Sequence, residues 1–368
     1  MQIESASNKT EAREFLTSIV SSACQFKASD IHIRAGHPII MRLDGRIRQV
    51  KGSPDMTNDM IERLIFPLID DYHIVEFKQR QQVDFSLTDN EGNRVRVNLY
   101  RQLGNLALVM RVIVNTIPTP DELGLPEQVK VISKMRQGLV IFSGGTGTGK
   151  STSMASLLNE INAQRYAHIL TIEDPIEYLF TEQRSIVSQR QIGIDVPSFA
   201  LAMKSALRED PDIILMGEMR DAESIDTALT AAETGHLVFS TLHAPNSADA
   251  INRIVSTFSG DAQATTRAKL AHNLRAIVTQ RLLPRKSGEG RVVACEVLEV
   301  SALARELIIA SERIKELKDL IRSGEKSPGN LYFDDALLQL VQDDVITHEV
   351  ALNNASSAND LALKLKGF

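Results

Sequence analysis

"LVIFSGGTGTGKSTSMASLLNEIN", residues 139–162, runs from a short apolar stretch through a glycine-rich turn into a helix-like segment. Within it Gly144 to Ser151 fits G-x-x-x-x-G-K-S, and the motif stands where its chemistry needs it, directly after a strand and before a helix. Glycines at this place let successive backbone N–H groups wrap an anion, and the start of the helix favours negative charge. Gly145, Thr146, Gly147, Thr148 and Gly149 would form the cradle. Lys150 would reach the outer phosphate oxygens, Ser151 could hold Mg²⁺, and Thr152 follows on the first helical turn. A chance glycine-rich turn would not bring the matching strand and helix with it.

Around this stretch the pattern is one of short, continuously apolar strands alternating with helices, which predicts a parallel sheet covered on both faces. The candidate strands are "LVIFSGG", "HILTIED", "DIILMGE" and "HLVFSTLH". Between the last two, residues 221–235 read as a helix with Asp221 as its N-cap and Gly235 just past its end. Ligands of such sheets gather beyond the carboxyl ends of the strands. Glu173 and Asp174 end one strand, Glu218 ends another, and His243 ends a third. Strand tips are costly places for carboxylates unless a cation or water is served there, and helix capping accounts for only one acid at each tip. Nucleotide hydrolysis needs one acid at the metal and one at the attacking water, which these residues can supply. His243 could sense the terminal phosphate. His236, at the other end of the same strand, would lie about 20 Å away. Both histidines therefore cannot touch one phosphate, and the duty expected of His236 is a subunit contact or a structural hydrogen bond, with a place on the nucleotide side as the alternative.

Residues 1–114 read differently. A helix is expected over 11–26 with Phe15, Ile19 and Ala23 in its apolar stripe and Leu16 and Val20 alongside. Two hairpins follow, the first turning at Asp44–Gly45. In the second, Val83, Phe85 and Leu87 alternate on one arm and Val95, Val97 and Leu99 on the other, which leaves Arg94 and Arg96 on the opposite face. Arg111 lies on a further strand. This predicts a small α+β domain whose sheet has one basic face. Residues 115–126, with prolines at 118, 120 and 126, read as a linker to a larger α/β domain over 127–368, mostly helical after about residue 300.

A chain of 368 residues is long enough for two cores. A net charge of −6 gives no global reason to coat nucleic acid, so a nucleic-acid motor is disfavoured. No apolar run approaches the ~20 residues of a membrane-spanning helix and the N-terminus is too polar for a secretory signal, so the expected location is cytoplasmic. Cys24 and Cys295 do not make a CxxC pair or a disulfide framework, and both are expected to be reduced core residues.

Jointly, "RQGLVIFSGGTGTGKSTS", "ILTIEDPIEY", "DIILMGEMRD", "AAETGHLVFSTLHA", "LRAIVTQRLLP" and the tail "FDDALLQL…ITHEVALNNASSANDLALKLK" resemble the PilT/PilU family of type IV pilus retraction ATPases. The resemblance covers almost the full length. It implies a PAS-like N-terminal domain, a RecA-like P-loop ATPase domain with a mainly parallel sheet, a homohexameric ring, and ATP with Mg²⁺ held between the domains, whose closure is the work stroke. By motif position, Lys150, Ser151 and Thr152 would meet phosphate and Mg²⁺, Glu218 would be the Walker B acid and second metal-side residue, and Glu173 the general base. Arg96, Arg101 and Arg111 match arginines of the N-terminal domain that complete the site in this family. The resemblance also implies peripheral docking on an inner-membrane platform protein at the pilus base. Two departures, "SERIKELKDLIRSG" in place of an AIRNLIRE-like helix and GGTGTGKST in place of GPTGSGKST, lean toward the accessory PilU-like paralogue, with a PilT paralogue as partner. Pilus extension, type II secretion, DNA uptake and a nucleotide-binding regulatory subunit are the rival readings.

Overall fold

The computed structural model describes residues 2–43, 45–113, 116–323 and 329–366. The chain divides into two compact units, Met1–Thr116 and Ile117–Phe368.

In the first unit, α1 (Gln2–Gln25) leads into β1 (Asp30–Arg34), β2 (Ile40–Leu43) and β3 (Arg46–Gln49). Then come α2 (Asn58–Ile65), α3 (Asp71–Arg80), β4 (Gln82–Thr88), β5 (Arg94–Gln102) and β6 (Asn105–Ile113). Among the described residues the strands form one six-stranded antiparallel sheet in the order β3-β2-β1-β6-β5-β4. The period-2 pattern holds: Val83, Phe85, Leu87, Val95, Val97 and Leu99 join Leu16, Ile19, Val20 and Ala23 of α1 and Phe77 of α3 in one core. Two expectations for α1 need correction. Phe15 is 38% exposed and Cys24 is exposed, because the buried stripe runs Ala12, Leu16, Ile19, Val20 and Ala23. Each helical residue turns about 100° from the last, so the neighbours of Leu16 and Ala23 are carried off that stripe. The turn expected at Asp44–Gly45 rests on Asp44, which lies outside the described residues.

The second unit begins with α4 (Glu127–Lys130), β7 (Gly138–Ser143), α5 (Lys150–Gln164), β8 (His168–Glu173) and β9 (Ile186–Gln191). It continues through α6 (Phe199–Ala206), β10 (Ile213–Met216), α7 (Ala222–Glu233) and β11 (Leu237–Leu242). After these come α8 (Ser247–Ser256), α9 (Ala262–Asn273), β12 (Leu274–Pro284), β13 (Arg291–Glu299), α10 (Ala302–Ile309) and α11 (Leu317–Arg322). The last elements are α12 (Phe333–Gln342), α13 (His348–Asn354) and α14 (Ala358–Leu365). Residues 324–328, part of the charged segment after α10, lie outside the described residues. Among the described residues the sheet has seven strands in the order β13-β12-β7-β11-β10-β8-β9. All neighbours pair in parallel except β12 and β13.

The four apolar runs are thus β7, β8, β10 and β11, and each is buried on both faces. Val140 and Phe142 pack against Met154, Leu157 and Leu158 of α5. Leu139 and Ile141, pointing the other way, join the core under α6 to α10. Helix α7 starts at the Asp221 N-cap expected from its sequence, and the structure adds a reciprocal capping box with Ser224. Three strands add to the four runs read from hydropathy. Strand β9, "IVSQRQ", is a half-exposed edge; β12 and β13 form an antiparallel hairpin on the other side of β7. Leu125, at the end of the proline-rich segment, is buried with Val129 and Ile132 in the second unit's core.

Candidate nucleotide site

β7 lies between β11 and β12, and its carboxyl end opens into the glycine loop. Here two glycines are required by geometry. Gly144 has φ +139°, and a Cβ on it would stand 2.6 Å from the Gln280 carbonyl oxygen. Gly149, at φ +88°, is the left-handed residue that starts α5. The Thr148 hydroxyl donates to the Gly145 carbonyl at 3.0 Å and closes the loop.

Lys150 is 8% exposed and its ammonium donates to the carbonyls of Gly144 and Gly145 at 2.9 and 2.8 Å. Burial lowers its pKa, while the charges of Glu218 and Glu177 act the other way. Thr146, Gly147, Lys150 and Ser151 line one cavity together with Glu173, Asp174, Glu218 and His243. Four elements distant in sequence therefore meet at a single edge of the sheet. Thr152 is held beside it, its hydroxyl 2.9 Å from that of Tyr178.

The two acids sit in unlike surroundings. Glu173, the last residue of β8, is 8% exposed. Its Oε2 accepts a 3.4 Å bond from the Glu177 backbone N–H, and its Oε1 is buried with no hydrogen-bond partner. Burial pushes this carboxyl up to about 7, outweighing the neighbouring Thr171 hydroxyl, the Glu177 backbone N–H and Gln189, which favour the ionised form, while the negative charge of Glu177 adds to the rise. Glu218 is instead surrounded by cationic or protonatable groups. Arg220 Nε donates to its Oε2 at 2.8 Å, and His243 Nε2 lies 3.7 Å from its Oε1. A buried carboxyl without a cationic partner beside one that faces a guanidinium is the arrangement that separates a proton acceptor from an electrostatic ligand.

His243 follows β11 directly, where Ser143 ties the end of β7 to this loop by donating to the Ala244 carbonyl at 2.8 Å. His236 does not line the cavity. It precedes the opposite end of β11, with Nδ1 2.8 Å from the Ala231 carbonyl oxygen and 3.2 Å from the Thr234 hydroxyl, a structural hydrogen bond of the kind expected for it. Arginines 96, 101 and 111 belong to the other unit and have partners there. Arg111 Nε is 2.9 Å from Asp30 Oδ1, Arg96 is 3.6 Å from Asp84, and Arg101 donates to the Gly104 carbonyl at 2.9 Å. Burial alone would raise the Asp30 carboxyl, but hydrogen bonds from Ser29 and Arg111 outweigh it and hold the carboxyl below its ordinary range.

Hydropathy did not single out Glu177, Tyr178 or Arg220, although all three line the cavity. Their only signal was membership of the motif strings "IEDPIEY" and "GEMRD". For Mg²⁺ the donor set fits: the Ser151 hydroxyl and Glu218 carboxylate both face the same cavity, and both are the hard oxygen ligands that this ion takes alongside phosphate.

A doubly covered, mainly parallel sheet with a phosphate loop after an interior strand, and two acids at neighbouring strand tips, defines a P-loop nucleotide hydrolase. The chain belongs to the Type II/IV secretion system protein family, which matches residues 5–306. It is 40% identical over 338 residues to the type IV pilus ATPase PilU of Pseudomonas aeruginosa, covering 92% of this chain and 88% of that protein. To the PilT retraction ATPase of the same organism it is 38% identical over 340 residues, covering 92% and 98%. A crystal structure of the pilus retraction motor PilT with bound ADP superimposes with a TM-score of 0.86 at 39% identity, covering 94% of this chain and 98% of that one. The Legionella pneumophila ATPase DotB shares the fold at a TM-score of 0.78 and 27% identity, covering 92% and 94%.

Proposed function

We propose that this chain is an ATPase motor that drives retraction of a type IV pilus. One observation carries the chemistry: the phosphate loop, the buried Glu173 and the Glu218–His243 pair line the same cavity. The pilus assignment is supported by near-full-length similarity to PilU and PilT. Their identities differ by too little to separate the two, so the lean toward the accessory paralogue rests on the sequence departures.

In this reading the loop N–H groups hold the phosphates, and Lys150 leaves the Gly144 and Gly145 carbonyls to join them. Mg²⁺, held by Ser151 and Glu218, would neutralise charge that develops on the transferred phosphoryl group. Glu173 takes a proton from the attacking water. A pKa near 7 keeps a large fraction of it ionised at neutral pH while leaving it basic enough to accept that proton. His243, beside Glu218, senses the terminal phosphate or its product.

The same proposal includes a homohexamer, attachment to a platform protein at the inner face of the membrane, cooperation with a PilT paralogue, and no nucleic-acid substrate. Among the described residues no helix is long and apolar enough to cross a membrane. Purified protein should hydrolyse ATP at a rate unaffected by added DNA or RNA, and Lys150→Ala and Glu218→Ala should each abolish turnover. A Glu218→Ala protein with wild-type turnover would end the assignment. Deleting the gene in its host should leave surplus pili without twitching; bald cells would overturn retraction in favour of extension.

A further inference from the structure

Arg220 has no role in the reading above, yet it sits at the junction of both acidic strand tips. It follows Glu218 by two residues past the end of β10. Its Nε donates to Glu218 Oε2 at 2.8 Å, and its Nη1 stands 3.6 Å from Oδ2 of Asp174, the residue after Glu173 at the end of β8. One guanidinium thus spans the tips of two paired parallel strands. With His243 Nε2 3.7 Å from Glu218 Oε1, both oxygens of the metal-side acid already face cationic or protonatable partners.

We propose that Arg220 is a positioning residue that holds the Glu218 carboxylate, so that a nucleotide carrying a divalent cation has to take that carboxylate from it. This rests on the ATPase reading of the same site. A guanidinium stays charged at every physiological pH, so no proton loss can release Glu218. What can release it is a competing charge, and a doubly charged cation arriving on phosphate is stronger than a single guanidinium. Asp174 keeps Arg220 at the cavity after the exchange. The Arg220 side chain is 56% exposed, so the freed guanidinium can turn to an anion without unpacking the core. Nucleotide arrival and the arrangement of the acids are coupled through one ion pair.

The test is Mg²⁺-dependent binding of the fluorescent analogue N-methylanthraniloyl-ADP to the full chain. In Arg220→Gln the half-saturating Mg²⁺ concentration should fall about three- to tenfold, the range expected when a partly exposed charged hydrogen bond no longer competes. Affinity in EDTA should be unchanged. Arg220→Lys, which keeps the charge but loses the planar fork, should fall between wild type and Arg220→Gln. An unchanged Mg²⁺ dependence in Arg220→Gln overturns the proposal. So does weaker binding in EDTA, which would make Arg220 a phosphate ligand, or an Arg220→Lys protein identical to wild type, which would reduce the effect to overall charge. Wild-type protein that binds no nucleotide with or without Mg²⁺ would sink the ATPase reading itself, a result distinct from these three.

Discussion

Replacing Glu173 by glutamine separates what the site costs from what it does. The wild-type carboxyl is buried, with Oε1 unpartnered, and its pKa rises from 4.5 to about 7. A carboxyl whose pKa is raised by folding contributes stability that is fully present below the unfolded-state pKa. That contribution is lost as pH rises through the folded-state value, because the unfolded chain then holds the ionised form more cheaply. The gap between 4.5 and about 7, at about 1.4 kcal/mol per pH unit, comes to about 3 kcal/mol lost by pH 8. Glutamine has nearly the same volume and no charge to desolvate. Relative to wild type, Glu173→Gln should therefore gain little at pH 5 and on the order of 3 kcal/mol at pH 8, a rise of about 6 °C or more in the melting transition of the larger unit. Turnover should drop about 10²-fold or more with the general base removed. Differential scanning calorimetry of both proteins at pH 5, 6.5 and 8, with a phosphate-release assay alongside, reads both effects. Stability differences that stay constant from pH 5 to 8 would refute the claim that Glu173 ionises at a cost inside the fold.

Three further outcomes follow from the same geometry. The rate should fall about tenfold per pH unit on the acid side of a limb near pH 7, and Glu177→Gln should move that limb to lower pH by removing a negative neighbour; a pH–rate profile of each protein checks it. Gly144→Ala should lose nucleotide binding, measured with the same fluorescent analogue, because its new methyl group would stand 2.6 Å from the Gln280 carbonyl at a φ of +139°, a strain of about 2 kcal/mol or more. An aromatic disulfide reagent should titrate Cys24 alone in the native chain and both cysteines in denaturant, since Cys295 is buried with its thiol pushed up to about 12.

The class of this protein was readable from residue order because its rules are local. A glycine loop between an apolar strand and a helix needs only neighbouring residues, and so does the N-cap at Asp221. Alternation placed Val95, Val97 and Leu99 on one face and Arg94 and Arg96 on the other for the same reason. Where burial depends on which helix covers which strand, local rules failed. Cys24 turned outward beside a buried Ala23, and the edge strand β9, too polar to look like a sheet member, was found only by its pairing with β8. Residue order also named Glu173, Glu218 and His243 as strand-end groups without saying how each would be charged or paired. That was decided by tertiary structure. Desolvation of Glu173 is a sum over every atom packed around it, and the Arg220 bridge depends on two strand tips from separate segments lying side by side. Electrostatic energy follows distance in space, and chain order sets that distance only after the sheet has formed.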